Sequence, residues 1–196
     1  MKINIIVLLF SLFLSACATT PQSNQTQTSS KSANKGASVP KPTPSILEIS
    51  SDVNSAILYL NENKWSYESV DDPNNPTEYL FDFKGTKPGG FLSGKLITEE
   101  IDADVQLLTR VAHLNAKKID PNIQIILKEP RTINNVEVIY MEMLGRTEEG
   151  LDAKIMGIYH TDQNGATQLV VFALKHVADR RYDDIQQFFS GFAIAN

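Results

Sequence analysis

Four kinds of residue in this sequence have the right chemistry for a functional site: a lone cysteine, three histidines, paired carboxylates and short glycine-containing turns. Cys17 is the only cysteine. That excludes an internal disulfide, a cysteine zinc cage and a CxxC redox pair. Its thiolate is a nucleophile that can take up an alkyl or acyl group. It ends a stretch that begins with the charge of Lys2 and continues through an apolar run, Ile3 to Leu14, broken by Asn4 and Ser11. The run is shorter than the ~20 residues a spanning helix needs. A charged start, a short apolar run and small residues at its end mark residues 1–16 as a secretory signal peptide.

The other candidates are weaker. His113, His160 and His176 are far apart, and none forms HxxxH, HExxH or HxH, so no spacing supports a zinc triad. His160-Thr161-Asp162 sets an imidazole near a carboxylate at a hairpin, and the reading is a strand-end residue. His113 lies off the apolar stripe of its helix and reads as a surface residue. Glu99-Glu100, Glu148-Glu149 and Asp183-Asp184 sit at helix starts or turns, where acidic residues are expected. Arg180-Arg181 opens the last helix against its dipole and is expected to pair with Asp179, Asp183 or Asp184. Ser93-Gly94-Lys95 lacks the upstream glycine of a P-loop, Gly89-Gly90 precedes a strand, and no serine stands in a GxSxG elbow. No catalytic residue, cofactor site or metal site is assigned, and the chain is not expected to be an enzyme.

Leu14-Ser15-Ala16-Cys17 resembles the lipobox of bacterial lipoproteins. The resemblance implies a diacylglycerol thioether on Cys17 and cleavage between Ala16 and Cys17. A lipoprotein anchor carries at least two acyl chains, which suffices for stable membrane attachment. Residue 18 is Ala, where Asp resembles an inner-membrane retention signal. The outer membrane, with the domain facing the periplasm, is therefore the expected location.

Residues 18–45 contain no aromatic and no acidic residue, and Val39 is their one sizeable aliphatic. Such a segment buries too little apolar surface to offset the entropy of ordering, so a disordered tether over 17–45 is expected. Its Pro40-Lys41-Pro42-Thr43-Pro44 end is stiffer. The only charges before residue 46 are Lys2, Lys31, Lys35 and Lys41. The remainder carries 14 basic and 23 acidic residues and sits near -9. A nucleic-acid partner prefers the opposite sign.

Residues 46–196 read as one globular domain. Ser51-Asp52 caps an expected helix over 51–62 through Val53, Ile57, Leu58 and Leu60. Trp65, Tyr67 and Val70 alternate as a strand, then Tyr79, Phe81 and Phe83 after the turn cluster 71–76. Pro88-Gly89-Gly90 breaks the chain before a strand over 91–97. Ile101, Val105, Leu108 and Ala112 predict a helix to about Lys118, capped by Thr98 or Asp102. A short strand over 123–127 follows. Strands at 136–144, 151–159 and 167–174 close the sheet, the last two flanking Asn164-Gly165. Both faces of the 136–144 strand are apolar, with Glu142 beside Val136, Val138 and Tyr140. Tyr182, Ile185, Phe188, Phe189 and Phe192 mark a C-terminal helix.

The expected class is α+β, a mostly antiparallel sheet flanked by helices. The stretch from Trp65 to Phe192 resembles the PsbP/Mog1-like α/β/α sandwich. The resemblance rests on Ile133 to Val138 entering a strand, the strand end Gly157 to His160, the Asn164-Gly165 turn, Gln168 to Phe172, and Phe188-Phe189-Ser190-Gly191-Phe192. It implies no common activity, since members mostly assist other proteins or complexes. The functional expectation is a non-catalytic, lipid-anchored envelope domain that binds or assists a protein partner. The alternatives are an envelope hydrolase whose site assembles only in the fold, or a carrier of a lipophilic ligand.

Overall fold

The computed structural model describes residues 45–72, 75–85 and 91–195. The lipobox, Cys17, the tether up to residue 44 and Pro88-Gly89-Gly90 lie outside them. Among the described residues, strands β1 (Ile46–Ser50), β2 (Ala56–Asn61), β3 (Trp65–Ser69), β4 (Thr77–Phe83) and β5 (Leu92–Glu99) precede helix α1 (Val105–Ala116). Strands β6 (Gln124–Ile133), β7 (Val136–Arg146), β8 (Asp152–Asp162) and β9 (Gly165–Leu174) follow. Helices α2 (Lys175–Arg180) and α3 (Tyr182–Ser190) and strand β10 (Phe192–Ile194) end the chain.

A seven-stranded sheet runs β3-β4-β5-β9-β8-β7-β6, and every pairing in it is antiparallel. A second sheet of three strands runs β1-β2-β10. One face of the large sheet packs with the small sheet, α2 and α3 around Trp65, Phe81, Tyr140, Met156, Leu169, Phe188 and Phe189. Its other face packs with α1 through Leu108, Ala112, Met141, Met143, Ile155 and Tyr159. The α+β class is therefore as the sequence implied: an antiparallel sheet between helical layers.

Several expected elements differ. Residues 51–62 hold no helix. Ala56, Leu58 and Leu60 are buried and alternate with less buried Ile57, Tyr59 and Asn61, the period of a strand. Ser51 instead holds a turn, its Oγ accepting from the Val53 and Asn54 amides. β2 is a strand because β1 and β10 supply its backbone partners from either side. The 51–62 helix rested on Ile57-Leu58-Leu60, a short apolar run that serves either period.

Helix α1 starts later than expected. Asp104 caps it, its Oδ1 accepting from the Leu107 amide at 2.7 Å. Thr98 stays in β5, donating to Glu78, and Asp102 and Ile101 lie before the helix. The short strand over 123–127 is a ten-residue strand, β6, because it pairs along β7 almost to the hairpin end. That hairpin turns on Asn134-Asn135, both at positive φ, 48° and 65°. This is the type I′ conformation that asparagine tolerates. In the β8–β9 hairpin the loop residues are Gln163-Asn164, with Asp162 opposite Gly165. Gly165 has φ +129°, and a side chain there would run into the Glu99 carbonyl.

A short helix that was not expected, α2, precedes the C-terminal helix. Arg181, at φ -108° and ψ 19°, breaks α2 from α3. Phe192 has left the helix and lies buried in β10.

Candidate functional site

The chemistry-bearing residues that come together lie on the covered face of the large sheet, beneath the α2–α3 junction. β7 alternation puts Tyr140 and Glu142 on that face, and β8 alternation puts Lys154 on it, diagonal to Glu142. Glu142 accepts a hydrogen bond from the Tyr140 hydroxyl at 2.6 Å and pairs with Lys154 Nζ at 2.9 Å. Lys154 also lies 3.4 Å from Asp179 of α2, and Asp179 pairs with Lys175. Gln186 of α3 donates to the Tyr140 oxygen at 3.0 Å and accepts from Arg131 Nη1 at 2.8 Å. The Arg131 guanidinium lies 3.5 Å from the Tyr140 ring centre and pairs with Glu129.

The electrostatics hold the Tyr140 phenol, the Lys154 ammonium and the Asp179 carboxylate in their resting forms. Burial, then the hydrogen bond to Glu142, pushes the Tyr140 phenol far above its ordinary pKa. Burial pulls the Lys154 ammonium down, but the hydrogen bond and charge of Glu142, with Asp179, outweigh it and raise the pKa. The Lys175 hydrogen bond depresses Asp179 against the opposing effect of burial. A general base or nucleophile needs a pKa poised near the working pH and an atom turned towards a substrate. Here phenol and ammonium are driven away from that range, and the Glu142 oxygens are engaged within the cluster.

A cavity of about 300 Å³ adjoins the cluster, lined by Leu151, Asp152, Leu174, Lys175, His176 and Asp179. A second, of about 250 Å³, lies at the small sheet between Ile46, Tyr59, Trp65, Gln187 and Phe188. The apolar faces of β7, which suggested a carrier, are filled by side chains from α1 and α3.

The histidines stay separate. His113 is half-buried rather than a plain surface residue, its Nε2 3.2 Å from the Ile123 carbonyl. His176 is exposed on α2. His160 lies near the end of β8, with Nδ1 2.9 Å from the Glu137 carbonyl. Its Nε2 is buried without a hydrogen-bond partner, 3.6 Å from the Asp162 carboxylate. Among the described residues no group of three or more His, Cys, Asp or Glu could hold a metal ion.

Glu99 ends β5, where burial raises its pKa, and Glu100 is exposed beyond it. Neither starts a helix. Glu148 and Glu149 lie in the β7–β8 turn. Asp183 and Asp184 do lie in the first turn of α3, and Asp184 pairs with Lys64 at 2.6 Å. Arg180 ends α2, which suits the helix dipole, so the supposed conflict disappears. Arg181 reaches Asp184 at 3.4 Å and donates to the Gly85 carbonyl.

Lys154 and Asp179 escaped sequence reasoning as a pair. The signal was present in Lys154, which shares its parity with Met156 and Ile158 in an apolar strand. A charge there needs an opposite charge on the same face, and Glu142 was already placed among apolar neighbours.

The fold defined by these layers is the PsbP-like α+β sandwich. It is similar to the solution structure of cyanobacterial PsbP (CyanoP) from Synechocystis sp. PCC 6803. The TM-score is 0.58 and the identity 14%, over 82% of this chain and 98% of that one. A protein of unknown function from Pseudomonas aeruginosa aligns at TM-score 0.46 and 9% identity, over 77% of this chain and 98% of that chain. No protein-family model matches the sequence, and no curated protein matches it.

Proposed function

We propose that the protein is a bacterial lipoprotein whose globular domain is a non-catalytic binding or assembly-accessory module of the cell envelope. The observation that carries the anchoring is Leu14-Ser15-Ala16-Cys17 directly after a charged start and a short apolar run. In this reading Cys17 bears the lipid, cleavage follows Ala16, and the lipid holds the chain on the periplasmic face of the outer membrane. No helix among the described residues is long and apolar enough to cross a membrane.

The Glu142–Lys154–Tyr140 cluster supports the non-catalytic part of the reading. Its groups satisfy one another, and the Tyr140 phenol and Lys154 ammonium are held away from working pKa values. The partner is an envelope protein, and no nucleic acid is involved, in keeping with the acidic domain.

The test is metabolic labelling with a radioactive or clickable fatty acid in a bacterial host. Wild-type chain takes up label and fractionates with the outer membrane, and Cys17→Ala does not. Label retained in Cys17→Ala overturns the anchor. A crosslinked pull-down of the lipidated chain tests the binding role, and recovery of the bait alone counts against it.

A further inference from the structure

Helix α1 is apolar on two sides. Leu108, Ala112 and Ala116 face the sheet and are buried. Leu107, Val111 and Leu114 recur at i, i+4 and i+7 on the outer side and are 42%, 41% and 62% exposed. A surface helix ordinarily presents polar residues there. Along α1 and at its C-terminal end the charges are basic, while the acidic cap Asp104, whose carboxylate meets the Leu107 amide, stands at the N-terminal end of the stripe. Arg110 and Lys117 are exposed on the outer side of α1, and Lys118 follows its last turn. No acidic residue occurs between Val105 and Ile119. Arg110 and Lys117 make no ion pair with any described residue. From Arg110 to Lys118 the patch is thus basic, on a domain that is strongly acidic overall.

We propose that the outer face of α1 is a peripheral membrane-contact surface for anionic phospholipid. Arg110, Lys117 and Lys118 meet the headgroups, and Leu107, Val111 and Leu114 reach the acyl boundary, the arrangement of an interfacial amphipathic helix. Charge complementarity selects an anionic partner. Area favours a lipid surface over a protein. Twelve residues make a strip about 18 Å long and about 10 Å wide, far short of the ~800 Å² per partner of a stable protein interface. The face lies within α1 and the proposal does not depend on lipid at Cys17, so it can fail or hold separately from the anchoring reading.

The test uses the full chain in a Cys17→Ser background, with one nitrobenzoxadiazole label at Leu114→Cys. It is mixed with vesicles of phosphatidylcholine alone or with added phosphatidylglycerol. The label should shift to the blue and be shielded from an aqueous quencher only on the phosphatidylglycerol vesicles. The same label at Glu68→Cys, on edge strand β3, should stay in water. Arg110→Gln with Lys117→Gln should weaken the phosphatidylglycerol-dependent response by roughly 25-fold, since each basic residue near such a surface contributes about fivefold. A thermal melt matching the parent shows that the variant is folded. The proposal is overturned if the label at 114 stays in water while the chain sediments with the vesicles. It is equally overturned if the shift ignores lipid charge and the glutamine pair. Shielding at 114 by an acidic envelope protein and not by vesicles assigns the face to a protein and also overturns it.

Discussion

Glu142 of β7 and Lys154 of β8 meet at 2.9 Å on the covered face of the large sheet, with side chains only 7% and 11% exposed. Truncating one member of such a pair leaves a charge without its partner, which costs about 3–5 kcal/mol. Lys154→Met should therefore destabilise the fold by that amount in urea denaturation. Adding Glu142→Leu should restore most of the loss, because a well-packed apolar pair can equal a buried ion pair. A single variant as stable as wild type would show that the pair contributes little.

Stability should fall at alkaline pH. Tyr140 and Tyr159 are raised in the folded state by burial, and Glu142 adds to the effect on Tyr140. Lys154 is raised too, because Glu142 and Asp179 outweigh burial. A raised group stabilises below its unfolded pKa and loses that contribution as pH rises through the folded one. The unfolded chain releases these protons from about pH 10, so the urea midpoint should drop from there upward. Tyr159→Phe should flatten the slope. An unchanged midpoint from neutral pH to well above 10 would contradict this.

Phe189 of α3 is fully buried, edge-on to Tyr140 with ring centres 5.9 Å apart. Phe189→Ala should cost about 3–5 kcal/mol, a large part of a typical total of roughly 5–15 kcal/mol. Calorimetry would read it directly. A wild-type melt combined with lost partner capture would make α3 a docking face instead.

Gly191 caps α3, and its carbonyl accepts from the Tyr59 amide at 2.9 Å. A side chain on it would meet the Tyr59 carbonyl. Gly191→Ala should therefore cost more than about 1 kcal/mol and speed hydrogen exchange at Tyr59. Exchange unchanged at Tyr59 would mean that the backbone yields without loss.

Asp104→Ala removes the α1 cap bond to the Leu107 amide. About 1 kcal/mol should be lost, read as a lower thermal midpoint, and Asp104→Ser should recover much of it. Equal midpoints for alanine and serine would indicate that the cap contributes nothing.

The class of the fold was legible because β7, β8 and β9 are long, largely apolar runs separated by turn signals, the pattern of strands covered on both faces. Residues 56–61 were misread because Ile57-Leu58-Leu60 satisfies helical and strand spacing alike. Only the tertiary partners β1 and β10 decide between them. The same holds at Arg181, where a break between helices has no glycine or proline to announce it. Of the polar cluster, Glu142 was visible as a charge on an apolar face. The α2 members were not, because Lys175–Arg180 were not read as a helix.

The small sheet is built from the two ends of the described chain. β2 lies between β1 and β10, and Asn134 donates to the Ser190 and Phe192 carbonyls at 2.9 and 2.8 Å. β10 lies far along the chain from β2, so closing the small sheet carries the ordering cost of joining distant segments. Until β10 docks, β2 has β1 on one side and an unpaired backbone edge on the other. The small sheet is thus completed only when segments from the two ends of the described chain meet, a step that contacts between sequence neighbours cannot make.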